Sequence, residues 1–91
     1  MHTLAYEKLT IYEVEALQKE LLALIEQQKE DLVLDMGGVE KIDMAAIQLL
    51  LAAQKNCEKK GIKLSLAQSK DSVNVDLRLC GCNKLLGVVD E

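Results

Sequence analysis

Three carboxylates, Asp35, Glu40 and Asp43, surround a Gly37-Gly38 pair in one short stretch of the chain. Acids next to a glycine turn are what proton transfer or the cradling of a phosphate would use, so this stretch is the first place to look for chemistry. The patterns are incomplete. The glycines fit neither G-x-G-x-x-G nor G-x-x-x-x-G-K, so a tight turn accounts for them. Asp43 is equally explained as a helix cap and Asp35 as the polar end of a strand. Cys80-Gly81-Cys82 places two thiols close together, but there is no second cysteine pair, and the single histidine, His2, is terminal. That is a poor metal set. A cysteine nucleophile would lack a base, and two tyrosines as the only aromatics leave little for a cofactor to stack on. The residues therefore point away from an enzyme, a metal site or a bound cofactor, and nucleotide binding at Gly37-Gly38 is the weaker reading.

The elements that position these residues follow from periodicity. Residues 3–9 alternate as a short half-buried strand, with Leu4 and Tyr6 on one side. Thr10 and Glu13 have capping-box spacing, opening a helix to about Gln28 with the stripe Val14, Leu17, Leu21, Leu24 and Ile25. Asp31 to Met36 is a short apolar run ended by Gly37-Gly38, which suits a buried central strand. After the loop Val39 to Ile42, Asp43 caps a second helix that is apolar almost all round from Met44 to Ala53, then polar through Lys55, Glu58, Lys59 and Lys60 until Gly61. Ile62 to Ala67 alternates as another strand. A strand-helix-strand unit of this length demands a parallel crossover. Ser69 is placed to cap a third helix with the stripe Val73, Leu77 and Cys80, closed by Gly81, and Leu85 to Val89 supplies a last short strand. The expected fold class is α/β: a small, mostly parallel sheet with about three helices packed on it.

Composition narrows the partners. At 91 residues and 49% apolar content the chain is expected to form one domain over 1–91 with one modest core. Eleven basic residues against fifteen acidic ones give a net charge of −4, so no footprint for nucleic acid is visible. The longest apolar run, Ala45 to Ala53, is interrupted by Gln48 and is far short of the roughly 20 residues that span a bilayer, so no direct membrane insertion is expected. Met1-His2-Thr3-Leu4 does not start a signal peptide, and three cysteines without an export signal suit a reducing, cytoplasmic setting. What remains unexplained by a core is the start of the second helix. Met44, Ala45, Ala46 and Ile47 form an apolar turn directly after a loop, where one side normally stays in water, and a flexible Met there suits a protein-docking surface. Core packing is the simpler role for Ile47 and Leu50.

Three stretches together resemble the STAS family, whose founding members are bacterial anti-sigma factor antagonists. Leu9-Thr10-Ile11-Tyr12 looks like its strand-to-helix corner, and Leu34 to Asp43 is similar to its strand and loop before an Asp-Ser-Ser-Gly-like helix start. Leu77 to Leu86 is similar to its helix-glycine-strand ending. The resemblance implies a non-catalytic regulatory module that docks an anti-sigma kinase-like or chemotaxis-type signalling partner, or a subunit of a transporter such as a lipid-transport ATPase. It implies a partner-binding site of Gly37, Gly38, Glu40, Lys41, Asp43, Met44, Ala45 and Gln48. In the family's regulators a kinase phosphorylates a Ser or Thr directly after the Asp matched by Asp43. Here Met44 and Ala45 hold those positions and Ala46 holds the Gly position, so no phosphoacceptor exists there. The single opening strand, in place of the family's pair, leaves a sheet edge for a partner or for a second copy in a homodimer.

Overall fold

The computed structural model describes residues 2–79. Their order is β1 (His2–Thr3), β2 (Lys8–Leu9), α1 (Val14–Gln27), β3 (Leu32–Asp35), β4 (Lys41–Ile42), α2 (Met44–Lys59), β5 (Leu64–Ala67) and α3 (Asp71–Leu79). Every strand pairing among the described residues is parallel: β1-β3-β5 form one sheet and β2-β4 a separate pair. The central position of β3 follows from its apolar run. Leu32 and Leu34 are buried on one face, in register with Leu64 and Leu66 of β5, while Val33 and Asp35 are half-buried on the other. The ladder continues past the strand ends, with Met36 N–H donating to the Ala67 carbonyl at 2.8 Å and Leu4 N–H to the Asp35 carbonyl at 3.1 Å.

The helical stripes supply the rest of the core. Leu17, Leu21 and Ile25 of α1 and Ala46, Ile47, Leu50, Ala53 and Cys57 of α2 are buried together with Leu4, Leu9, Val39, Val73 and Leu77. Both ends of α2 are fixed by local chemistry. At its C-terminus Ile62 N–H donates to the Cys57 carbonyl and Gly61 N–H to the Glu58 carbonyl, each at 3.0 Å, with Gly61 at φ +77°. This paired closure requires a left-handed residue, which glycine adopts without cost from a Cβ. The adjacent Lys60 ammonium reaches the carbonyls of Ile25, Glu26 and Gln28, so α1's exposed C-terminal carbonyls receive a cation from the end of α2.

The single strand expected over residues 3–9 is instead two strands of two residues each, in different sheets. Leu4 and Leu9 both point into the core but stand five positions apart, which one alternating strand cannot satisfy, so the chain bends between them. The loop Val39 to Ile42 contains β4, paired through Lys8↔Lys41 and Leu9↔Ile42. The capping box is half formed. Glu13's carboxylate accepts the Thr10 backbone N–H at 3.0 Å, but the Thr10 hydroxyl donates to that same carboxylate at 2.7 Å and accepts the Tyr12 N–H at 3.3 Å, closing a turn, and α1 begins one turn later at Val14. At α3 the first helical bond runs from Asn74 N–H to the Lys70 carbonyl at 2.9 Å, so Lys70, not Ser69, stands at the cap position. Ser69's hydroxyl is held by the Asn74 side chain. The expected Gly81 stop, the strand at Leu85 to Val89, and Cys80 and Cys82 lie outside the described residues.

Candidate functional site

Asp43 organises the site. Its Oδ1 accepts the Ala46 N–H at 3.1 Å, which caps α2, and its Oδ2 accepts the Ile11 N–H at 2.9 Å, which ties down the turn between β2 and α1. Its backbone N–H donates to the Leu9 carbonyl at 3.0 Å, and its carbonyl accepts the Ile47 N–H at 3.0 Å. One residue thus fixes the end of β4, the first turn of α2 and the Thr10 to Glu13 corner relative to one another. With each carboxylate oxygen accepting a backbone N–H, Asp43 positions these elements.

On this frame the first turn of α2 faces outward. Met44 is 55% exposed, with its Sδ accepting from the Gln48 amide at 3.7 Å, and Ala45 is half-buried. Ala46, Ile47 and Leu50 are buried, as core packing requires. Ile11 (66% exposed) and Tyr12 (90%) stand on one side of Asp43, and Leu79 (80%) and Val75 (52%) stand beyond Met44 on α3. Asp43 lines hollows on both sides: one with Ile42, Met44, Ile47, Asp76 and Leu79, the other with Lys8, Thr10, Ile11, Tyr12, Glu13 and Lys41. Exposed Ile11, Tyr12, Met44 and Leu79 thus line the two hollows that meet at Asp43, on a domain whose other large exposed hydrophobics among the described residues are Leu22 and Val75.

The sequence-derived site residues divide into two groups. Asp43, Met44, Ala45 and Gln48 share the start of α2, and Lys41 joins them from β4 beside Lys8. Gly37, Gly38 and Glu40 lie on the loop leading from β3. That loop is a turn closed by Val39 N–H donating to the Met36 carbonyl at 3.0 Å, with Gly37 N–H donating to Asp35 Oδ1 at 2.8 Å. A Cβ on Gly37 would meet that oxygen at 3.1 Å, so the close approach selects glycine there. Glu40 is turned toward α3, 3.3 Å from the Lys70 ammonium. Ile11, Tyr12, Val75 and Leu79 were not singled out from the sequence as site residues. Ile11 and Tyr12 sit in a turn, where no periodicity distinguishes an exposed hydrophobic from a core one.

Elsewhere the polar groups serve structure. Glu20 of α1 takes the Tyr6 hydroxyl at 3.0 Å and a contact from His2, clamping β1 and the following turn onto α1. Burial first, and the Glu20 carboxylate second, raise the Tyr6 pKa above that of a free phenol. Burial also pushes the Cys57 thiol up, away from the thiolate that nucleophilic chemistry needs. Among the described residues no three His, Cys, Asp or Glu side chains are grouped to hold a metal, and no helix is long and apolar enough to cross a membrane.

A family model described as "Mlab, STAS domain" matches residues 6–88. The chain belongs to the STAS family. Its STAS fold is also similar to two solved transporter structures. One is the murine Solute Carrier 26 family member A9 (Slc26a9) anion transporter in its inward-facing state, at 24% identity and a TM-score of 0.78 over 90% of this chain. The other is a sulfate transporter family protein from Wolinella succinogenes, at 25% identity and a TM-score of 0.77 over 94% of this chain. This STAS chain spans 14% of the murine transporter chain and 70% of the Wolinella one. A search of curated proteins returns no match.

Proposed function

We propose that this STAS domain is a non-catalytic regulatory module that docks a partner protein through the start of α2, without a phosphate switch at that place. The observation that carries the reading is Met44: an apolar side chain more than half exposed on the first turn of α2, held outward by the Asp43 cap and flanked by exposed Ile11, Tyr12 and Leu79. A hydrocarbon patch of this kind gains free energy when a partner covers it, and a flexible Met adapts to the covering surface. Neither Met44 nor Ala45 carries a hydroxyl, so added phosphate charge cannot break the contact there. In this reading the surface is permanently competent, the domain works in the cytoplasm, and control lies with the partner or with access to it. An anti-sigma kinase-like or chemotaxis-type protein is the partner that the family resemblance suggests.

A second reading makes the partner a transporter component, with this chain as a STAS subunit of a complex such as a lipid-transport ATPase. The likeness to chains of an anion transporter and a sulfate transporter family protein favours it. Neighbouring genes separate the two: permease and ATPase genes support the second, kinase and phosphatase genes the first. The edge strand β1, paired through His2 and Thr3 alone, is the place for a second copy in a homodimer.

Met44→Glu and Ala45→Glu test the docking surface itself. Placing a carboxylate in the middle of a covered apolar contact is expected to cost at least about 2 kcal/mol, or roughly thirtyfold in affinity. Co-purification from native cells, with folding checked by circular dichroism, reads this out. Undiminished partner capture by both folded variants would remove the start of α2 as the docking site.

A further inference from the structure

Lys8 and Lys41 are register partners on the parallel β2-β4 pair, and both side chains are exposed while their neighbours Leu9 and Ile42 are buried. Like charges directly opposite on adjacent strands repel and lower stability. Among the described residues no carboxylate lies within 4.0 Å of either ammonium. Of the acids nearby, Glu13 is engaged by Thr10, Asp43 by the Ile11 and Ala46 N–H groups, and Glu40 by Lys70, while exposed Glu7, next to Lys8 in sequence, lies more than 4.0 Å from either ammonium. The two lysines open onto a hollow of about 640 Å³ that Thr10, Glu13 and Asp43 also line, with Ile11 and Tyr12 as its apolar wall. Of the charged groups lining this recess, the two carboxylates accept hydrogen bonds from the protein and the two ammonium groups are without an ion-pair partner among the described residues.

We propose that the partner presents an acidic–apolar peptide segment to this recess, with carboxylates over Lys8 and Lys41 and an apolar side chain against Ile11 and Tyr12. The inference rests on the docking reading and specifies the chemistry of what docks. Two lysines are too few to hold the chain at an anionic membrane, where each contributes about 1 kcal/mol, and they do not form the basic stripe that nucleic acid needs. Among the described residues, Asp76, an exposed acid beside Val75 and Leu79, has Arg78 next to it, a poorer match than a purely acidic segment, and the test separates a second copy from a partner peptide.

Selection of a random dodecapeptide phage library on the immobilised full chain tests this without a known partner. The selected peptides are expected to be enriched in Asp or Glu next to Leu, Ile or Phe. A synthetic version of the best peptide should bind about tenfold more weakly to Lys8→Glu/Lys41→Glu, with Lys8→Ala/Lys41→Ala intermediate. Its affinity for the wild type should fall steeply from about 0.05 to about 0.5 M salt, and for the charge-reversed chain hardly at all. An empty selection, peptides without acidic enrichment, or equal binding to the charge-reversed chain would overturn the proposal. So would a dimer in sedimentation equilibrium that the reversal dissolves, or reversal-sensitive binding to phosphatidylglycerol vesicles. Peptides that lose binding to Met44→Glu but not to Lys8→Glu/Lys41→Glu would leave the docking reading standing and sink only the acidic segment. The converse pattern would support the acidic segment and sink docking through Met44.

Discussion

Asp43 is where fold and site meet, and its two carboxylate oxygens can be separated by mutation. Asp43→Ala removes both acceptors. Loss of the α2 cap costs about 1 kcal/mol, and loss of the bond to the Ile11 N–H about 1 kcal/mol more, because a charged acceptor is replaced by water. Asp43→Asn keeps one oxygen for the Ala46 N–H, since Asn caps as well as Asp, but turns an NH2 toward the Ile11 N–H. It should therefore cost only the second part, about 1 kcal/mol. With a urea dependence of about 1 kcal/mol per molar for a chain of this size, the unfolding midpoint read by far-UV circular dichroism should fall by about 2 M for Ala and about 1 M for Asn. The Asn variant should keep its helix content, yet let the Ile11-Tyr12 corner move relative to Met44, so partner affinity should drop in a protein that is still folded. Equal midpoints for the two variants would show that the Oδ1 cap contributes nothing. An Asn variant as stable as the wild type would show that the corner is not tethered by this residue.

Lys60→Met removes the ammonium from three C-terminal carbonyls of α1 while keeping the length of the side chain; a loss of about 1 kcal/mol in urea unfolding is expected, with no change in partner binding. Tyr6 supplies a pH dependence of defined sign. Its folded-state pKa lies above its unfolded value of 10.0, so the folded state holds the phenolic proton more tightly. Its stabilising contribution is complete below about pH 10 and is lost as pH rises through the folded value. The stability advantage of the wild type over Tyr6→Phe, measured by urea unfolding, should accordingly be constant up to about pH 9 and shrink above pH 10. A gap that widens with alkali would contradict the burial of that hydroxyl against Glu20.

Helical features were the most legible part of the sequence because each is local. The stripe Leu17, Leu21 and Ile25, the Asp43 cap and the Gly61 stop each depend on residues within two turns of one another, and all three stand in the structure. The strands β2 and β4 were hidden because each is two residues long and finds its partner more than thirty positions away; no periodicity exists over two residues. The Thr10-Glu13 pair closes a turn instead of opening the helix, which starts at Val14, and the tether from the Ile11 N–H to Asp43, thirty-two positions on, is a contact that local spacing does not show. At the site, Met44 was legible as an apolar residue in a place that faces water. Ile11 and Tyr12 were not, since exposure in a turn is set by the tertiary tether and not by spacing.

A partner that covers the start of α2 comes within reach of a probe placed there. Site-specific photocrosslinking tests this most directly, with p-benzoylphenylalanine placed at position 44, at position 12, and, as a control, at position 22. Leu22 is half exposed beside the separate hollow between α1 and α2, which it shares with Leu49 and Asn56. Irradiation in native cells should give one adduct of the same mass from positions 44 and 12 and none from position 22. An adduct from position 22 with nothing from position 44 would place the contact on the α1-α2 face and contradict the claim.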